Sequence, residues 1–507
     1  MIGARGSLVL PDPMLEGPCC HERMTARALE HRMSREEAAL APIRPQLACD
    51  RVRHMLSVQL TKAVRCLTIA LLSSACSNSV PTPNVILIIG DTLRADRLGT
   101  YGNERGLTPY LDDFGEEGVV FESASSHAPW TLPSTASILT SLYPRQHGAG
   151  GFLGQFRKLD PNVRTMAEQF RDRGYATHAI VNVDFLGERF GLTRGFDSVD
   201  FEAYQSNVEV RIAQRTTSAA LEWIEQQDTK QPWFLLVHYF DPHAVYDPPQ
   251  PFRGRFAAPL DQDDDSWVFG TREHMIALRQ GKLQLTPPVI KRAEKLYDAE
   301  VAYLDAEIGR LLDGVGPEAI ACFTSDHGEE FLEHNGFEHG HTLYPELTHV
   351  PLILRAPGLG PARVSQSVGH VDIAPSLFEL ANIPGIPDSI GASLVEFVET
   401  PSAAGRPILA HGNFWGAPLT SWRSGEWILI LQGKIRSAPE LYAWRDDREL
   451  LQNVATQNPA VVTRLRNELT ALEKRARELR GEDVDLSPEE RSALKGLGYG
   501  GGAAEDE

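Results

Sequence analysis

A short apolar run, Val85 to Ile89, followed at once by Gly90-Asp91, constrains this chain more than any other stretch. Consecutive branched aliphatic residues without polar alternation predict a strand buried on both faces, and such strands belong in parallel sheets covered by helices. In open sheets of that kind ligands gather outside the carboxyl ends of the strands, so Asp91 is predicted at a functional edge. Downstream, Trp130-Thr131-Leu132-Pro133-Ser134 reads as a turn into a helix that starts near Ser134 and runs to about Leu142. Thr131 is then expected at or just before a helix N-terminus, where backbone N–H groups and the dipole favour anions. A carboxylate at a strand end and a hydroxyl at a helix start predict a metal-assisted site for an anionic ester.

The alternation repeats along the chain. A helix over 163–173 precedes a strand at 175–181, and a helix around 209–227 precedes a strand from Phe234 to Tyr239 that stops at Asp241-Pro242-His243. A long amphipathic helix over about 288–313 leads into a strand from Ala319 to Thr324 and then Asp326-His327-Gly328. This order predicts the α/β class, with a mixed, mostly parallel sheet between helical layers. With 507 residues, 42% of them hydrophobic, the chain can bury a large core. Residues 250–285 read as a lid or surface insertion. From about 405 the strands shorten, so 84–404 is expected to be the catalytic domain, 405–499 a smaller C-terminal α/β subdomain and 500–507 a disordered tail. A helix over 459–480 puts Val462, Leu465, Leu469, Leu472, Ala476 and Leu479 on one stripe, which predicts packing on that subdomain.

The first 54 residues show no sustained periodicity, and either Met55 is the true start or 1–54 is a dispensable leader. A basic start from Met55, the apolar run CLTIALLSSA at 66–75 with its small residues, and then Cys76 read as an export signal and linker over 55–83. The context of Cys76 resembles a bacterial lipoprotein signal, which implies membrane attachment through a lipidated Cys76 and a periplasmic or membrane-anchored location. Processing there would leave Cys76 and Cys322, and no disulfide framework is predicted. The net charge of −19 disfavours nucleic acid as a partner.

Several motifs, in order, carry a resemblance. NVILIIGDTLRAD at 84–96, TLPSTASILTS at 131–141, TSDHGE at 324–329 and HGHTLYPELTHVPLILRAPG at 339–358 resemble the sulfatase family of the alkaline phosphatase superfamily, and the match extends to the C-terminal LKGLGYG. The resemblance implies an alkaline-phosphatase/sulfatase-like sandwich, an enzyme that cleaves small-molecule, glycan or lipid anionic esters, and one divalent metal ion. It assigns Asp91, Asp326 and His327 to the metal, with Thr131 as a fourth, reactive ligand. Two carboxylates and an imidazole suit Zn or Mn better than Ca, which prefers all-oxygen shells. Asp-His pairs also occur in calcium-dependent relatives, so Zn, Mn and Ca all stay open.

The chain departs from the family at Thr131. Sulfatases place Cys or Ser there, oxidised to formylglycine, with an Arg shortly after; threonine cannot yield that aldehyde, and Thr135 replaces the Arg. Asn182 and Asp184 stand where the family's Lys and His would fall, and Asn182 is expected to hydrogen-bond a substrate oxygen. A threonine adduct has no second hydroxyl with which to expel the transferred group, so a second attack must resolve it. Phosphoryl and phosphonyl groups follow that route readily, which favours a phosphate or phosphonate ester attacked by metal-activated Thr131. Sulfate ester hydrolysis without formylglycine is the alternative, and a catalytically silent, surface-anchored carbohydrate-binding scaffold is the second. His243, His339 and His341 are the candidate acids and transition-state contacts, with either His339 or His341 matching the family position. His238 is expected in the core, and His334 and His349 are expected to be structural.

Overall fold

The computed structural model places Val85–Gly90 (β1) in the middle of an eight-stranded sheet, every residue of it buried. The other strands are Val119–Ser125 (β2), Ala176–Val181 (β3), Ser198–Phe201 (β4), Trp233–Tyr239 (β5), Ile320–Ser325 (β6), Leu352–Arg355 (β7) and Ala362–Gly369 (β8). Their order in space is β8-β2-β7-β6-β1-β5-β3-β4. All neighbours pair in parallel except at β7, which runs antiparallel to both β2 and β6. The structure describes residues 82–202, 210–257, 268–279, 282–433, 438–475, 478–497 and 499. The expected export segment up to residue 81, with Cys76, and also Ala476 and the tail at 500–507 lie outside them.

Alternate residues of β1 serve two cores. Val85, Leu87 and Ile89 pack with Ile138 and Leu139 on one face, while Ile86 and Ile88 pack with Leu296, Leu304 and Ile308 on the other. The second layer is built from helices Pro109–Glu117 (α1), Ala213–Glu225 (α3) and the long Pro287–Val315 (α4). On the first face lie Thr131–Thr140 (α2) and Ile373–Leu380 (α5). Helix α2 begins at Thr131, not near Ser134, because Pro133 falls within its first turn, where no backbone N–H is required. It stops at Thr140, short of Leu142, because Ser141 turns left-handed at φ 57°.

The C-terminal region is a four-stranded antiparallel sheet, Ile408–His411 (β9), Leu419–Ser424 (β10), Trp427–Gln432 (β11) and Glu440–Ala443 (β12), with helix Pro459–Arg475 (α6) on it. Val462, Leu465 and Leu469 of α6 meet Leu409, Trp422, Leu429 and Leu441, as the stripe predicts. The stripe does not continue to Leu479. From there the chain returns to the catalytic domain: Leu479 N–H donates to Arg145 O at 2.8 Å, Lys158 N–H to Glu482 O at 3.0 Å and Val484 N–H to Phe156 O at 2.9 Å. A capped helix, Pro488–Gly496 (α7), then seats Leu494, Leu497 and Tyr499 in the main core. Within the expected 405–499 subdomain, the last stretch therefore packs on the main core, where Leu486, Leu494, Leu497 and Tyr499 find their apolar neighbours. Among the described residues, no helix is long and apolar enough to cross a membrane.

Candidate active site

Parallel register brings the metal candidates together. Gly90 of β1 pairs with Ser325 of β6, so Asp91 and Asp326 leave neighbouring strands side by side, with His327 next. The ligand atoms of Asp91, Asp326 and His327 lie within 4.8 Å of one another, and all three residues are fully buried. His327 Nε2 lies 3.6 Å from Asp91 Oδ1 and 3.4 Å from Asp326 Oδ2. Its Nδ1 donates to Gly328 O at 3.0 Å, which leaves Nε2 as the lone pair facing the carboxylates. Both oxygens of Asp91 and Oδ2 of Asp326 are buried without a hydrogen-bond partner. Buried orphan carboxylate oxygens are costly, and a divalent cation would satisfy them. Burial, followed by the charge of Asp326, pushes the Asp91 carboxyl well above its ordinary range. The donor set therefore fits a divalent metal.

The surrounding backbone is built to hold these groups. Thr92, a β-branched residue, sits at φ 57°. That costly conformation aims its N–H at Asp326 Oδ1, 3.2 Å away, and its carbonyl accepts from Tyr297 Oη at 2.8 Å. Gly328 is required for a different reason: a Cβ there would run into the Glu346 carbonyl oxygen. Ser134, in the first turn of α2, donates to Asp326 O at 2.5 Å and ties that helix to the strand end.

Thr131 is the first residue of α2 and is fully buried. Its Oγ1 lies 3.4 Å from His327 Nε2 and 3.3 Å from Tyr499 Oη. His339 completes the group, with Nε2 at 2.8 Å from Tyr499 Oη and Nδ1 at 3.0 Å from Glu329 Oε1. His243 faces His339 with ring centroids 5.0 Å apart; its Nδ1 is paired with Ala244 O at 2.6 Å, and its buried Nε2 has no partner. Burial lowers His243 to about 3, with His339 adding to the effect. Burial, then His327, holds His339 well below its usual range. Burial thus disfavours the protonated form of both imidazoles.

A hydroxyl lies beside a carboxylate–imidazole cluster at the carboxyl edge of a parallel sheet, and a family model described as Sulfatase matches residues 83–383. The chain belongs to the sulfatase family. A curated relative, the uncharacterized sulfatase YidJ of Escherichia coli, is 25% identical over 422 residues, covering 73% of this chain and 83% of the relative. Arylsulfatase K of Gallus gallus is 25% identical over 447 residues, covering 76% and 81%. Among solved structures, the phosphonate monoester hydrolase of Agrobacterium radiobacter superposes with a TM-score of 0.65 at 20% identity, covering 80% of this chain and all of that one. A protein solved with its substrate D-glucosamine-2-N,6-O-disulfate gives 0.64 at 20% identity, covering 77% and 97%. This sulfatase-family chain is accordingly an ester hydrolase of the α/β class with a candidate divalent-metal site.

The structure separates residues that the motifs leave together. Of the two histidines in HGH, His339 joins the site, whereas His341 turns its Nε2 to Glu330 at 2.9 Å and stacks on Trp415. Asn182 does not present a donor to substrate. Its amide N–H groups go to Thr216 Oγ1 and the His238 carbonyl, leaving only its carbonyl oxygen free, which an anion would repel. His238 is buried as expected of a core residue, yet its Nε2 lies 3.5 Å from Asp91 Oδ2, so it belongs beside the cluster. Its place one residue before the end of β5 was the available signal. Tyr499 was missed altogether, and only the LGYG ending hinted at it.

Proposed function

We propose that the protein cleaves phosphate or phosphonate esters through a covalent adduct on Thr131. The observation that carries this reading is the placement of Thr131 Oγ1, at a helix N-terminus and 3.4 Å from His327 Nε2 of the metal cluster. Asp91, Asp326 and His327, with Thr131, would hold one divalent ion, for which the O,O,N donor set favours Zn or Mn over Ca. The ion supplies positive charge where the ester oxygens and the attacking oxygen carry negative charge. The chain's own residues do the rest. Thr131 Oγ1 attacks phosphorus as its proton passes towards the neutral imidazoles of His339 and His243, and the resulting imidazolium protonates the departing alkoxide. The N-terminal N–H groups of α2 stabilise the anion. Water, or an acceptor alcohol, then attacks phosphorus and releases Thr131.

A sulfate ester is the second reading, favoured by the arylsulfatases among the relatives. A silent binding scaffold is disfavoured, because two buried carboxylates with orphan oxygens have no use in one. We extend the proposal to an exported protein, with the segment at 55–75 as signal and Cys76 as the lipid attachment site.

Intact-protein mass after brief exposure to aryl phosphate, phosphonate and sulfate esters tests the chemistry. The expected result is a phospho-sized adduct on the wild type, absent from Thr131→Ala. Turnover of sulfate esters alone would overturn the phosphoryl reading in favour of the second one.

A further inference from the structure

We propose that Tyr499, carried into the active site by the C-terminal tail, is a catalytic residue whose hydroxyl holds and orients the Thr131 nucleophile. The inference rests on the reading of Thr131 as nucleophile. Its basis is a directed chain of contacts. Glu329 accepts from Tyr246 Oη on Oε2 at 2.9 Å, and its Oε1 lies 3.0 Å from His339 Nδ1. A carboxylate accepting on both oxygens places the imidazole proton on Nδ1 and leaves Nε2 a lone pair. The phenol at 2.8 Å therefore donates to His339, and its own lone pairs face Thr131 Oγ1 at 3.3 Å. The threonine hydroxyl is thereby held by a neighbour whose direction is itself fixed, as positioned catalytic groups require.

The tail is built to deliver this ring. Helix α7 opens with a capping box, Ser487 accepting from Glu490 N–H while Glu490 accepts from Ser487 N–H. Tyr499 N–H then closes on Leu494 O at 2.8 Å, and Leu494 is 1% exposed. The ring sits between Phe185, Phe414 and Trp130, at centroid distances of 4.7, 5.5 and 6.0 Å. Such enclosure on three sides suits a fixed part of the site rather than a strand of chain resting on it. The active site is therefore completed by residues more than a hundred positions beyond the matched family segment, which ends at 383.

The test compares wild type, Tyr499→Phe, Tyr499→Leu and Thr131→Ala, loaded with Mn2+, using 4-nitrophenyl phenylphosphonate as substrate and orthovanadate as ligand. Tyr499→Phe keeps the ring and its packing, so manganese content and Tm are expected unchanged. Its kcat is expected to fall about 100-fold with KM little moved, the usual effect of losing one positioned hydrogen bond at a reaction centre. Vanadate affinity, read by calorimetry, is expected to fall about tenfold. Tyr499→Leu removes the ring too and is expected to lower Tm, which separates packing from the hydroxyl. Wild-type kcat and vanadate affinity in Tyr499→Phe would overturn the inference while an inactive Thr131→Ala upheld the nucleophile. A rise in either quantity would overturn it in favour of a tyrosine that blocks the site. Full activity in Thr131→Ala, or a wild type that neither turns over the ester nor binds vanadate, would overturn both readings.

Discussion

At the scale of single residues, the site gathers two buried carboxyl groups beside a buried imidazole. Asp91 is raised well above its ordinary range by burial and by Asp326, so a cation must compete with the proton for it. Metal affinity is therefore expected to weaken as pH falls. Addition of Mn2+ should stabilise the wild type by about 2.7 kcal/mol at a hundredfold excess over Kd, with little effect on Asp326→Ala. Thermal unfolding with and without Mn2+ across pH 5–8 checks both points; a Tm gain that grows at low pH would contradict the first. The positions of the candidate ligands were legible in the sequence, because Asp91 and Asp326-His327 each follow a buried strand, and the family resemblance supplied their metal role. His238 was not, because a histidine inside an apolar strand reads as core whichever way its ring turns.

At the scale of elements, two predictions concern how helices are fixed. Ile138 lies fully buried on α2, the helix that carries Thr131. Ile138→Ala is expected to cost about 2–5 kcal/mol in denaturant unfolding, and Ile138→Val about 1 kcal/mol. Asp305 of α4 accepts from Tyr110 N–H at 3.1 Å and Leu111 N–H at 2.8 Å, at the start of α1. Burial nonetheless raises its pKa from 3.8 to about 7. A carboxyl that binds its proton more tightly when folded contributes stability fully present below its unfolded pKa, which is lost as pH rises through the folded one. Stability should therefore decline between about pH 4 and 7 from this residue, and Asp305→Asn should flatten that slope in denaturant titrations at several pH values. The existence of α2 and α4 was plain from periodicity. The start of α2 was not, because a proline in a first turn looks, from sequence, like a barrier to the residues before it.

At the scale of the whole molecule, the chain closes on itself. Leu486, Leu494, Leu497 and Tyr499 return to the main core after the C-terminal sheet is complete. At about 1.5–3 kcal/mol for each buried side chain, their loss rivals the net stability of a domain, about 5–15 kcal/mol. A chain ending at residue 478 is thus expected to give little soluble folded protein and no turnover, whereas one ending at 499 should match the full chain in Tm and kcat. Equal yields of the two would contradict this. The sequence by itself determined the α/β class, the mostly parallel sheet and the strand ends that present Asp91, Asp326 and His327, because burial on both faces and abrupt strand ends are local patterns. Only the tertiary structure decided between His339 and His341, turned Asn182 inward and brought Tyr499 to Thr131. Those outcomes depend on which way a side chain points and on contacts across hundreds of residues, and no local period encodes either.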